Sequence, residues 1–189
     1  MKLVILDRDG TINSDGEDFI KSPEEWVPLP GALEAIARLN HAGWHVVIAS
    51  NQSGLGRGLF DVASLNAMHA KMHKMLAAVG GRVDAVFYCP HSAEEDCRCR
   101  KPLPGLFEQI GERFGVPLKG VPTAGDSLRD LLAGAAAGCE PHLVLTGKSL
   151  LYRDGGEPAG LPEGTRIHLD ISAFADFLLE RNAPPAPSP

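Results

Sequence analysis

The sequence lacks any apolar run long enough to cross a membrane, and no signal-peptide pattern precedes its first apolar segment, residues 3–6. It also lacks an excess of basic residues, because 18 Lys and Arg stand against 24 Asp and Glu for a formal charge of −6. We therefore expect a cytoplasmic protein with no membrane partner. The acidic balance argues against a nucleic-acid partner, since binding the phosphate backbone requires a basic surface.

Cysteine is scarce, yet three of the four cysteines lie with one histidine in an eleven-residue stretch. Thiols stay reduced in the cytoplasm, so a metal is favoured over the alternatives of a disulfide or free thiols. Three cysteines and one histidine form a closed tetrahedral zinc set, which predicts a structural zinc and not a catalytic one. The predicted ligands are Cys89, His91, Cys97 and Cys99. Cys139 lies among apolar residues and is predicted to be buried.

Short apolar segments alternate with amphipathic ones along the 189 residues. This pattern is typical of α/β proteins and predicts a Rossmann-like, mostly parallel sheet with helices on both faces. We predict a single domain over residues 1–182 and a disordered Pro/Ala/Ser tail over 183–189. The predicted strands are 3–6, 44–49, 83–88, 121–125, 142–145 and 166–169, and the predicted helices are 31–42, 61–79, 103–114, 128–137 and 171–180.

The first four predicted strands each end in a polar segment. These segments are D-R-D-G, S-N-Q-S-G, the Cys/His loop and G-D-S. Because parallel strands end at one edge of their sheet, where ligands bind in such folds, we expect the four segments to meet there.

Asp7 and Asp9 follow the first strand directly. A carboxylate there can attack phosphorus and form an aspartyl-phosphate, but attack on an anion requires a cation. Mg²⁺ prefers carboxylate and phosphate oxygens, and Asp126 after the fourth strand is the natural second ligand. The alternatives are a solvated loop or a calcium loop. In a calcium loop the glycine stands at position six, whereas Gly10 stands at position four.

The other charged and polar residues at this edge suit phosphate. Ser50 and Asn51 follow the second strand, and Arg57 adds a guanidinium in the glycine-rich run S-G-L-G-R-G. Lys101 can neutralise charge on a transferring phosphoryl group, and Arg100 is shaped for a phosphate or sugar oxygen. Alone, each of these would be an ordinary turn or surface residue, so their interpretation depends on position.

His69 and His73 stand four residues apart on one predicted helix, a spacing that allows metal binding. No third ligand lies near them in the sequence. We therefore predict that both histidines occupy the exposed face of the helix.

D-R-D-G-T, Ser50, Lys101 and Gly125-Asp126 together resemble the four motifs of the haloacid-dehalogenase-like phosphohydrolases. Within that superfamily, N-Q-S-G-L-G-R-G, the zinc loop with C-R-K-P-L-P-G and the late V-L-T-G-K resemble the D-glycero-D-manno-heptose-1,7-bisphosphate 7-phosphatase family. The resemblance covers the chain to about Lys148. It implies a sheet without a large cap domain and a phosphorylated sugar substrate that serves lipopolysaccharide heptose synthesis. We expect the enzyme to act as a monomer.

The resemblance also implies a role for each site residue. Asp7 is the nucleophile and Asp9 the general acid and base, while Asp7, the Asp9 carbonyl and Asp126 hold Mg²⁺. Ser50 and Lys101 steady the phosphoryl group. The implied substrate contacts are Asp15, Gly16, Glu17, Asp18, Asn51, Gln52, Ser53, Arg57 and Arg100.

Two departures keep alternatives open. The five residues between His91 and Cys97 are similar to the gap in the histidinol-phosphate phosphatase domain, although that domain lacks the form of the run that holds Ser53 and Arg57. Ser127 stands where the family often has Lys, and Asp130 is a candidate to assist the metal. An alternative of another class is a zinc-stabilised interaction module without catalysis.

Overall fold

The computed structural model describes residues 1–16 and 19–182. The predicted tail, 183–189, and the predicted substrate contacts Glu17 and Asp18 lie outside the described residues. Six strands form one sheet in the order β3-β2-β1-β4-β5-β6, and every pair of neighbours is parallel. The strands are β1 (Lys2–Leu6), β2 (Trp44–Asn51), β3 (Ala85–Cys89), β4 (Pro122–Gly125), β5 (Glu140–Val144) and β6 (Arg166–His168).

Six α-helices cover both faces of the sheet; five of them lie between consecutive strands and the last follows β6. They are α1 (Ala32–His41), α2 (Ser53–Gly56), α3 (Val62–Ala78), α4 (Gly105–Phe114), α5 (Leu128–Ala136) and α6 (Ile171–Arg181), and a 3₁₀ helix spans Gly147–Tyr152. The predicted α/β fold is confirmed. The short α2 and the 3₁₀ helix were not predicted, because four to six residues give too little periodicity to identify a helix.

The alternation of side chains along β1 divides the core into two layers. Val4 and Leu6 point toward the layer made by α1, α3 and α6, whereas Leu3 and Ile5 point toward α4 and α5. Such two-sided burial explains why the strand is a continuous apolar run. Packing on both faces of β1 therefore fixes the position of Asp7, the residue that directly follows the strand.

Two helices begin at an aspartate that caps the first turn. The Asp61 carboxylate accepts a hydrogen bond from the Ser64 backbone N–H at 2.7 Å, and the Asp170 carboxylate accepts one from the Ala173 backbone N–H at 2.9 Å. Each carboxylate satisfies one donor that the first turn of a helix leaves free. These caps set where α3 and α6 begin.

The strand order reverses direction between β1 and β4, which are neighbours at the centre of the sheet. A crevice opens at such a reversal beyond the carboxyl ends of the strands, and this is where open α/β sheets bind ligands. Across residues 1–16 and 19–182, none of the helices combines the length and apolar character needed to cross a membrane.

Candidate active site

The acidic residues after β1 and β4 lie together at the reversal point. Asp7, Asp126 and Asp130 each offer a carboxylate oxygen, and these oxygens lie within 4.8 Å of one another. Asp126 is almost fully buried, and its Oδ2 accepts a hydrogen bond from the Lys148 backbone N–H at 2.7 Å. A Cβ atom at Gly10 or Gly147 would collide with the Asp126 carboxylate, so both positions require glycine.

Lys101 lies in the middle of this acidic group, although it is 94 residues from Asp7 in sequence. Its Nζ lies 2.9 Å from Asp7 Oδ1, 2.7 Å from Asp130 Oδ1 and 2.7 Å from the Ala49 carbonyl oxygen. The contacts with Asp7 and the Ala49 carbonyl are hydrogen bonds, and the contact with Asp130 is an ion pair. The lysine side chain is only 1% exposed, which leaves it almost no freedom to move away.

Burial governs the electrostatics of the three carboxylates. It raises the pKa of Asp7 to about 6 and the pKa of Asp126 well above its ordinary value, and the charge of Asp130 adds to both shifts. Burial acts against ionisation of Asp130 as well, but the Lys101 ammonium outweighs it and lowers the pKa of Asp130. A divalent cation beside Asp7 and Asp126 would offset this repulsion, so the donor set fits Mg²⁺.

Asp130 makes structural contacts that were not predicted from the sequence. Its Oδ2 accepts hydrogen bonds from the Ser127 backbone N–H at 3.0 Å and from the Ser127 hydroxyl at 2.6 Å, while its Oδ1 faces Lys101. Ser127 immediately precedes α5 and Asp130 is in its first turn, a spacing typical of a helix start. Asp130 therefore links the start of α5 to the lysine.

The Asp9 carboxylate is held by donors on both oxygens. Arg8 donates to Oδ1 at 2.9 Å and to Oδ2 at 3.0 Å. Asn13 donates to Oδ1 at 2.8 Å, and Gln52 donates to Oδ2 at 3.1 Å. Arg8 is itself fully buried and lies 3.2 Å from His69 Nε2. The prediction that His69 lies on an exposed face is wrong, because Arg8 reaches across to α3.

The carboxyl end of β2 and the residue after it, Gln52, face both the acidic group and Asp9. Ser50 is buried and accepts a hydrogen bond from Gln52 at 2.7 Å. The Asn51 side chain bonds the backbone of Lys101 at both its carbonyl, 3.1 Å, and its N–H, 3.0 Å. Gln52 is buried against Asp9 and Ser50 and does not line the cavity described below. Asn51 thus holds the lysine, and Gln52 holds the second carboxylate.

A cavity of about 230 Å³ opens over Asp7 and Asp9. The sequence-predicted residues that line it are Asp7, Asp9, Asp15, Gly16, Ser50, Asn51, Ser53, Arg57, Arg100 and Lys101. Four further lining residues were not assigned from the sequence, namely Phe19, Ile20, Arg129 and Lys148. Phe19 and Ile20 directly follow the predicted contacts 15–18, and Lys148 ends the V-L-T-G-K run, but neither pattern gave these residues a role. Only the fold brings Arg129, at the start of α5, to this crevice.

The rim of the cavity carries positive charge. The Arg57 guanidinium lies 5.9 Å from the centre of the Phe19 ring and 3.8 Å from a Glu94 oxygen. Arg100 approaches the His91 carbonyl oxygen at 3.5 Å. The Arg129 Nε is buried without a hydrogen-bond partner among the described residues. The mouth of the cavity therefore offers donors to an anionic ligand.

The four predicted zinc ligands converge at the end of β3. Cys89 Sγ lies 3.8 Å from Cys97 Sγ and 3.4 Å from His91 Nδ1, which is also 3.4 Å from Cys99 Sγ. A tetrahedron with Zn–S bonds near 2.3 Å has sulfur–sulfur edges of roughly 3.8 Å. Burial raises the pKa of the Cys89 thiol to about 12, so thiolate formation there requires a cation. The donor set fits Zn²⁺.

One crevice of the parallel sheet holds two carboxylates after β1, a hydroxyl at the end of β2, a buried lysine and an acid after β4. This is the arrangement of a haloacid-dehalogenase-like phosphohydrolase. Residues 2–143 match the family model described as polynucleotide kinase 3 phosphatase. The chain is 58% identical to D-glycero-beta-D-manno-heptose-1,7-bisphosphate 7-phosphatase of Bordetella bronchiseptica, over 95% of this chain and 99% of that protein. It is 52% identical to the protein of the same name in Pseudomonas aeruginosa, over 94% and 98%.

The structure agrees with these relationships. A crystal structure of the B. bronchiseptica D,D-heptose 1,7-bisphosphate phosphatase, complexed with magnesium and phosphate, superposes with a TM-score of 0.91 over 96% of this chain and 99% of that one. The chain therefore belongs to the family of the heptose bisphosphate 7-phosphatases, in the wider phosphatase family of the matching model.

Proposed function

We propose that this chain removes the 7-phosphate of D-glycero-β-D-manno-heptose 1,7-bisphosphate through an aspartyl-phosphate on Asp7, in the synthesis of lipopolysaccharide core heptose. The observation that carries the proposal is the Asp7–Lys101 contact of 2.9 Å at the floor of a cavity with cationic walls. We also propose that the active species is a monomer and that residues 1–182 act as one domain.

In the first step an Asp7 oxygen attacks phosphorus in line with the departing sugar oxygen. Lys101 and the Ser50 hydroxyl stabilise charge on the phosphoryl oxygens, and Asp9 gives a proton to the sugar oxygen. In the second step Asp9 takes a proton from a water, whose oxygen attacks phosphorus and releases Asp7. Mg²⁺ held by Asp7, Asp126 and the Asp9 carbonyl supplies the positive charge that lets an anionic nucleophile approach a phosphate.

The cavity charges favour a substrate with a second anionic group. Beyond Asp7, Asp9 and Lys101, its lining includes Arg57, Arg100, Arg129 and Lys148 against Asp15. A bisphosphate places its second phosphate among these cations, whereas histidinol phosphate would place an ammonium there. The proposed contacts with the sugar and its second phosphate are Asp15, Gly16, Glu17, Asp18, Asn51, Ser53, Arg57 and Arg100.

A substrate panel tests this assignment. Phosphate release with Mg²⁺ would be measured for both anomers of the heptose bisphosphate, for histidinol phosphate and for a 3′-phosphorylated oligonucleotide. We expect the β-bisphosphate to give the highest kcat/KM. The oligonucleotide should be poor because the net charge of −6 opposes a polyanion. A higher kcat/KM for histidinol phosphate, or no hydrolysis of any member, would contradict the proposal.

Arg57→Ala should weaken recognition of the second phosphate. A charge-assisted hydrogen bond contributes about 1.5–3 kcal/mol, so kcat/KM for the bisphosphate should fall by about ten- to a hundredfold. The value for p-nitrophenyl phosphate, which has no second phosphate, should change less than about twofold. The matched control is Arg98→Ala, because Arg98 is exposed and does not line the cavity. Equal losses with both substrates would refute the assignment of Arg57.

We also propose that Cys89, His91, Cys97 and Cys99 hold a structural Zn²⁺ that fixes Arg100 and Lys101, which follow the last ligand directly. Cys97→Ala should reduce bound zinc from about one ion per chain to near zero, lower the melting temperature and reduce kcat. Elemental analysis and thermal unfolding measure these changes. Cys139→Ala removes a cysteine outside the cluster and should keep the zinc. A Cys97→Ala protein with wild-type zinc content would exclude this site.

A further inference from the structure

The buried contact between Arg8 and His69 lies outside the reaction described above. Arg8 is fully buried, and its guanidinium uses each of its nitrogens. Nε and one terminal nitrogen grip the two oxygens of Asp9 at 2.9 and 3.0 Å, and the other terminal nitrogen lies 3.2 Å from His69 Nε2. His69 is half-buried on α3, between the core residues Met68 and Met72. The carboxylate is thus tied through one arginine to a well-packed helix.

The direction of the Arg8–His69 hydrogen bond is set by chemistry. An arginine has only donors, so His69 Nε2 must accept and the ring must be neutral. Burial, followed by the charge of Arg8, lowers the pKa of His69 to about 4, which keeps the ring neutral in neutral solution. A neutral acceptor at this position orients the guanidinium but neither repels nor neutralises its positive charge.

From this geometry we propose that His69 is a positioning residue, which fixes Arg8 and through it holds the Asp9 carboxylate oriented as a base. The inference rests on the proposed function, because it needs an aspartyl-phosphate to be hydrolysed. In that step Asp9 takes a proton from water while the water oxygen bonds to phosphorus. The bond from phosphorus to Asp7 breaks, and Asp7 leaves as a carboxylate with inorganic phosphate as the product.

The step that removes phosphate from Asp7 depends most on this contact. Arg8 donates to both oxygens of the Asp9 carboxylate, which fixes the direction from which that carboxylate can take a proton from water. Formation of the aspartyl-phosphate from an aryl phosphate needs little proton donation, because a nitrophenolate leaves without help. Loss of His69 should therefore slow hydrolysis of the intermediate and spare its formation from p-nitrophenyl phosphate.

The test is rapid-quench kinetics on the full chain with Mg²⁺ and ³²P-labelled p-nitrophenyl phosphate. Formation and decay of the labelled enzyme would be followed separately. In His69→Leu we expect decay to slow about tenfold and formation to change less than about twofold. In His69→Gln, whose amide oxygen can take the place of Nε2, decay should return to within about threefold of wild type. The control is His73→Leu, an exposed histidine one turn along α3, which should behave as wild type.

Three results would overturn the inference. These are wild-type decay in His69→Leu, no recovery in His69→Gln, or formation and decay slowed together, as a general loss of packing would cause. If His69→Leu does not fold, His69→Gln and Arg8→Lys replace it, and decay must then slow in Arg8→Lys, whose ammonium cannot grip both oxygens. A wild-type enzyme that releases no phosphate from the heptose bisphosphate with Mg²⁺ would instead contradict the proposed function, and with it this inference.

Discussion

Asp7→Asn should reduce kcat for the heptose bisphosphate by at least roughly a thousandfold while the protein stays folded, because an amide cannot attack phosphorus. Little packing is lost, since Asn has nearly the shape of Asp. Lys101 keeps an ion pair with Asp130 at 2.7 Å and a hydrogen bond to the Ala49 carbonyl. Phosphate release and thermal unfolding, measured on the same preparation, check both parts of this expectation.

The stability of this variant should depend on pH in a defined direction. Burial raises the pKa of Asp7 to about 6 from an ordinary value of 3.8, so the folded state binds its proton more tightly than the unfolded chain. The contribution of Asp7 is present below pH 3.8 and is lost as the pH rises toward 6. In buffer with EDTA, the melting temperature of Asp7→Asn relative to wild type should therefore increase between pH 4 and pH 6.

A matched control separates the chemistry from the change of charge. Asp176→Asn removes an exposed carboxylate that pairs with Arg38 far from the cavity, and it should keep wild-type kcat. If Asp7→Asn kept more than a few per cent of the wild-type rate, another group would have to be the nucleophile.

The sheet edge was predictable because short apolar runs ending in polar residues have few other interpretations. Asp7, Ser50, Lys101 and Asp126 were each placed after a strand, and the parallel order of strands brings such ends together. The strand order itself could not be read from the apolar runs, since all of them look equally buried. The general rules for parallel sheets were therefore enough to predict the fold class and the shared edge. The neighbours of each side chain could be identified only from the structure.

The contacts that support the site were the part that sequence reasoning missed. Arg8 stands between two acids and resembles a solvated residue in the sequence, yet it is fully buried against Asp9 and His69. The spacing between Ser127 and Asp130 is typical of a helix start and could be read from the sequence. The contact of Asp130 with Lys101 could not, because it joins the segments that follow β4 and β3. The partner of a long polar side chain depends on the direction in which the side chain points, and the periodicity of the sequence does not show that direction.

Lys101→Met should have the largest combined effect on rate and stability. The lysine lies between Asp7 and Asp130 with its side chain 1% exposed, so the variant leaves buried carboxylates without their ammonium partner. Breaking a buried ion pair costs about 3–5 kcal/mol of unfolding free energy. The phosphoryl group also loses a positive charge, so kcat should fall by about a hundred- to a thousandfold. Denaturant unfolding and phosphate release measure the two effects.

The charges around Lys101 predict two further properties of this variant. Mg²⁺ beside Asp7 and Asp126 would offset part of the repulsion, so the loss of stability should be smaller in Mg²⁺ than in EDTA. Lys101→Arg should recover part of the stability but little of the rate, because a planar guanidinium cannot reach Asp7, Asp130 and the Ala49 carbonyl from the same buried position. Lys74→Met, at an exposed position on α3, should change neither. A Lys101→Met protein as stable and as fast as wild type would show that the acidic group is balanced by some other cation.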